Sequence, residues 1–76
     1  MSIKAESVEY ISTYTRFDNI EDAVIRKPII VDTIKNAVSR ENLNNKEFKM
    51  DVHDSIINST EDGKYILEII IKKEFN

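Results

Sequence analysis

The stretch Lys64-Tyr65-Ile66-Leu67-Glu68-Ile69-Ile70-Ile71-Lys72-Lys73 constrains the fold of this chain more than any other. It is rich in residues that favour strands, and side chains alternate across a strand. Tyr65, Leu67, Ile69 and Ile71 therefore share one face. Ile66 and Ile70 share the other with Glu68 and Lys72. Both faces are apolar. One layer of helix covers only one face of a sheet, and 76 residues leave little chain for the second. The expected cover is another copy of the protein or a different protein. The competing arrangement folds the N-terminal segment, or a helix over 19–26, across Ile66 and Ile70.

Size sharpens the problem. A chain this short expects one domain over residues 1–76, near the lower limit for an independent core. Such domains rarely draw more than about 3–5 kcal/mol from their core without a staple. The sequence contains no Cys, which removes disulfides and thiolate metal sites, and its single His makes a metal a poor staple. Oligomerisation is left, with a dimer as the expected assembly. Hydrophobic residues make up 41% and charged residues 33%, which fits a globular chain and not a disordered one.

The net charge is −3, with acidic and basic residues interspersed. No basic tract is present to neutralise a phosphate backbone. The N-terminal Met1-Ser2-Ile3-Lys4-Ala5-Glu6 has no apolar signal core, and no stretch reaches the ~18 apolar residues of a membrane span. These features place the expected protein in the cytoplasm, with no membrane association. Abundant Ile, Lys and Asn point to an AT-rich genome, such as that of a low-GC bacterium or its phage.

The expected fold is α+β: a small antiparallel sheet made of an N-terminal strand and a C-terminal β-hairpin. A Pro-broken helix pair packs on one face of it, in the order β-α-α-β-β. Ser7 to Phe17 reads as the first strand. Val8, Tyr10 and Tyr14 lie on one of its faces, Ile11 and Phe17 on the other. Asp18 is placed to cap a helix, with Glu21 three residues on. Ile20, Ala23 and Val24 follow at helical spacing, and Lys27-Pro28 predicts a break. Pro28 then opens a second helix carrying Ile30, Val31, Ile34, Ala37 and Val38 to about residue 42, with Asn42, Asn44 and Asn45 as its stop. A strand over Val24–Val31 is the alternative for that region. Glu47 to Ile57 reads as a strand with Phe48, Met50, Val52 and Ile56 inward, and Lys49, Asp51, His53 and Ser55 outward. Asp62-Gly63 is a strong hairpin signal before the final strand, which runs from Lys64 to about Phe75.

Motifs that carry chemistry are scarce. His53 shares a strand face with Asp51, so an acid–base pair is geometrically allowed, but no nucleophile is tied to it by spacing. Asp18, Glu21 and Asp22 form the acidic cluster common at helix starts. Asn58-Ser59-Thr60 matches a glycosylation sequon, which without a signal peptide denotes only an exposed turn. No catalytic residue, cofactor site or metal site is expected.

The reading these residues support is a non-enzymatic, acidic interaction protein. It is expected to be a self-associating regulator or inhibitor that binds another protein, of the kind phages and mobile elements encode. Its expected interface is Tyr10, Tyr14, Tyr65, Ile66, Glu68, Ile70 and Lys72. The alternative is a nucleic-acid or nucleotide-binding module. It would stack bases on Tyr10, Tyr14 and Phe48 beside Lys4, Arg16, Arg26 and Lys27. A small enzyme or sensor around His53 is a third reading.

Overall fold

The computed structural model describes residues 7–75. Four elements follow one another: strand β1 (Val8–Phe17), helix α1 (Ile20–Asn44), strand β2 (Phe48–Ser59) and strand β3 (Tyr65–Phe75). The three strands form one antiparallel sheet in the order β1-β3-β2. The two-sided strand of the sequence is thus the central one, hydrogen-bonded on both sides. The helix packs on one face only. The Cα atoms span 53 × 25 × 11 Å with a radius of gyration of 15.4 Å. A compact domain of this length has a radius of about 11 Å. The molecule is a thin two-layer slab.

The helix differs from the expected pair: one continuous helix of 25 residues runs through Pro28. Proline removes the hydrogen bond to the carbonyl one turn back, here that of Val24. Val24 and Pro28 are both exposed, so the freed acceptor lies on the water side of the helix, where the loss costs least. Beyond it, Ile30, Val31 and Ile34 keep packing on the core and hold the next turns to the sheet. The cap is also displaced by one residue. Asn19 is the N-cap, and its Oδ1 accepts from the Asp22 amide at 2.9 Å. Asp18 instead pairs with Lys64 at 3.3 Å. Glu21 and Asp22 occupy the first turn, where they complement the helix dipole. The alternative strand over Val24–Val31 is helical throughout.

Phe17, Ala23, Leu67 and Ile69 form the core, with Ile30, Val31, Ile34, Val52, Ile57 and Tyr65 packed against them. Leu67 and Ile69 are the largest fully buried side chains. Burying each contributes about 1.5–3 kcal/mol. Ala23 is fully buried in the same cluster, which puts residues 20–26 over the odd-numbered face of β3. The alternative of a helix over Ile66 and Ile70 is therefore overturned. The proposed N-terminal cover falls in residues 1–6, outside those described.

The β2–β3 hairpin turns as expected. Thr60 and Lys64 close it, with the Thr60 amide donating to the Lys64 carbonyl at 2.8 Å. Gly63 has φ +78, which a side chain would strain. The Thr60 hydroxyl donates to the Asp62 carboxylate and holds it below the usual carboxylate range.

One register feature was not expected. The ladder between β2 and β3 shifts between Val52 and Asp54, leaving His53 as an extra residue. This bulge exchanges the two faces of β2 beyond it. Phe48, Met50 and Val52 lie opposite helix-side residues of β3, as predicted. Past the bulge it is Ile57, opposite Leu67, that joins the core. Ile56 lies opposite Glu68, on the other side.

Candidate protein-binding face of the sheet

The face of the sheet opposite the helix has no cover among the described residues. Its composition follows from the register. Tyr10 lies opposite Lys72, Ser12 opposite Ile70, Tyr14 opposite Glu68 and Arg16 opposite Ile66. From the other side, Asp51 faces Lys72, Asp54 faces Ile70, Ile56 faces Glu68 and Asn58 faces Ile66. Opposed residues in an antiparallel pair stand on the same face. Tyr10, Tyr14, Ile66, Glu68, Ile70 and Lys72 are therefore gathered on one surface. Tyr65, expected with them, stands on the helix side and packs against the core. It is half a turn of the pleat away from Ile66.

The face divides along its length. One half is apolar: Ile56, Ile66 and Ile70 flank the stem of Glu68, with Tyr14 beside them. Tyr10 and Tyr14 are 58% and 67% exposed, so both rings stand largely in water. The other half is charged. Lys72 pairs with Glu74 at 3.1 Å and stands opposite Asp51. The apolar half carries Asp54 on the β2 edge and, on the central strand, Glu68. The Glu68 Oε2 accepts from the Ser12 hydroxyl at 2.9 Å and from the Tyr14 hydroxyl at 3.2 Å. Those two bonds draw the carboxylate toward β1 and tie the Tyr14 ring to the centre of the sheet.

His53 meets the Tyr10 ring edge-on, with centroids 5.2 Å apart. The pair spans β3. The bulge thus presents His53 to an aromatic ring on the far strand. Among the described residues, no group of three His, Cys, Asp or Glu side chains is placed to hold a metal ion. Of the base-stacking set, Tyr10, Tyr14 and Arg16 share the open face, and Phe48, Arg26 and Lys27 do not join them. Phe48 lies at the helix-side end of the sheet against Phe75, with the Lys73 ammonium 4.1 Å from its ring centre. Arg26 and Lys27 belong to α1, on the opposite side from Tyr10 and Tyr14. Lys4 lies outside the described residues.

An open groove of about 320 Å³ runs between the end of α1 and the sheet, lined by Ile34, Ala37, Val38, Phe48, Met50 and Ile71. Its polar rim is Glu41 and Lys73. It offers no nucleophile and no convergent hydrogen-bonding set.

Sequence reasoning missed Ser12 and Ile56 as members of the open face. Ser12 is recognisable only from the register that sets it diagonally beside Glu68. Ile56 is hidden by the bulge, since strict alternation from Phe48 puts it in the core. None of the described helices is long and apolar enough to cross a membrane. No protein-family model, curated protein or solved structure matches this chain.

Proposed function

We propose that this is a non-enzymatic interaction protein, a regulator or inhibitor that self-associates through its sheet and presents the open face to another protein. One observation carries the reading. Ile56, Ile66 and Ile70 and two exposed tyrosines share a sheet face that no described residue covers. Contiguous apolar surface rimmed by polar groups marks interaction sites on small proteins. Tyrosine suits such surfaces because the ring buries area while the hydroxyl stays hydrated.

The chemistry of the face describes its partner. An apolar ridge fits against Ile66, Ile70 and Tyr14, and a Lys or Arg on that ridge meets Glu68. The net charge of −3 steers a basic partner toward the complex. A photo-crosslinking side chain introduced at Tyr14, in the full chain inside its source cell, tests this. The expected result is an adduct of defined mass with another protein, absent when the same group replaces Asp32 on the exposed side of α1. Ile66→Lys together with Ile70→Lys should cut that adduct at least about tenfold, because unpaired charge is costly at a desolvated contact. The double variant should keep its circular dichroism and thermal midpoint. Equal adducts from Tyr14 and Asp32 would remove the open face as the docking surface.

A further inference from the structure

The two edges of the sheet are protected very differently. On β2, the Asn42 side chain reaches from the helix and bonds the edge backbone at Met50. Its Nδ2 donates to the Met50 carbonyl at 2.8 Å, and its Oδ1 accepts from the Met50 amide at 2.7 Å. The bulge at His53 interrupts the same edge. Both are recognised ways of blocking an edge strand. β1 has neither. It is ten residues long, in unbroken register with β3, and contains no Pro, Gly or Lys.

The backbone pattern of β1 fixes which groups face outward. The Phe75 amide donates to the Ser7 carbonyl at 3.0 Å, so the odd-numbered residues of β1 bond β3. The amides and carbonyls of Val8, Tyr10, Ser12, Tyr14 and Arg16 then point away from the sheet.

We propose that this edge pairs antiparallel with β1 of a second copy, centred on Ser12, joining two sheets into one of six strands. The inference rests on the self-association reading and specifies its geometry. Only a two-fold axis at Ser12 pairs all five outward residues: Val8 with Arg16, Tyr10 with Tyr14, and Ser12 with itself. Each opposed pair exchanges two bonds, giving about ten. The charges allow it. Arg16 meets Val8 of the second copy and Glu9 meets Thr15, so no like charges stand opposed. The residues on the open side of β1 also double a surface that is small alone. Three strands of this length offer about 500 Å² per copy, against the ~800 Å² per partner of a standard interface. Two joined faces reach about 1,000 Å² and bring four tyrosines to the centre.

Disulfide trapping reads the register directly, because the chain has no Cys of its own. Opposed residues in such a ladder lie about 5.5 Å apart at Cα, within reach of a disulfide. Under mild oxidation, Ser12→Cys should form a dimer with itself. Tyr10→Cys and Tyr14→Cys should cross-link when mixed and far less when alone. The same holds for Val8→Cys mixed with Arg16→Cys, which leaves Ser12 intact. Charge substitution supplies a second reading: Ser12→Lys and Ser12→Glu should each weaken dimerisation several-fold, and mixing them should restore it. A monomeric Ser12→Cys with efficient cross-linking through Ile70→Cys would overturn edge pairing and move self-association to the open face. Absence of cross-links at every position, with the chain mass in solution, would overturn both.

Discussion

β3 carries two faces of nearly equal hydrophobic content and very different fates. Leu67, Ile69 and Ile71 are buried under α1. Ile66 and Ile70, one residue away in each case, are only half-buried by their neighbours on the sheet. The difference lies in the cover and not in the strand. A helix of 25 residues spans the sheet once, and among the described residues no second segment returns beneath it. The comparison teaches that apolar pattern fixes which residues require burial, while chain length fixes how many of them the chain can bury alone.

The largest expected effect separates the two faces by substitution. Leu67→Ala should destabilise the fold by about 2–5 kcal/mol, the cost of a cavity at a fully buried leucine. Ile66→Ala should cost about 1 kcal/mol or less in dilute protein, because its surroundings are already hydrated. Chemical denaturation of both variants checks this, and equal losses would place the two faces in one core. A smaller effect tests the edge that the helix protects. Asn42→Ala leaves the Met50 amide and carbonyl without their side-chain partner and should cost about 1–3 kcal/mol. It should also speed amide exchange at Met50 while leaving β1 unchanged, which hydrogen exchange by NMR reads residue by residue. Unchanged protection at Met50 would show that the Asn42 bonds are not formed in solution.

Much of the fold was legible in the sequence. β-branched and aromatic runs marked the strands, and Asp62-Gly63 marked the hairpin. The even–odd pattern of β1 and β3 placed Tyr10, Tyr14, Ile66, Glu68, Ile70 and Lys72 on definable faces. Three features were not legible. Pro28 reads locally as a stop, but packing of Ala23 before it and of Ile30, Val31 and Ile34 beyond it outweighs one missing hydrogen bond. The cap fell on Asn19 because Asp18 had a better partner in Lys64, 46 positions away and unseen by local pattern. The bulge at His53 reversed Ile56 and Ile57, since a single extra residue changes the parity of everything after it. On the central strand, where pairing on both sides enforces regular alternation, Ile66, Glu68, Ile70 and Lys72 share the open face as expected, while Tyr65 of the expected interface lies on the helix side. The open face was misassigned on β2, where an edge tolerates irregularity.

The central claim is that this slab is completed by association. Light scattering coupled to size-exclusion chromatography over about 5–200 μM tests it most directly, since a micromolar dimer changes its average mass across that range. The account predicts twice the chain mass at the upper end. A mass equal to one chain at every concentration would contradict self-association and leave the open face to a different protein alone.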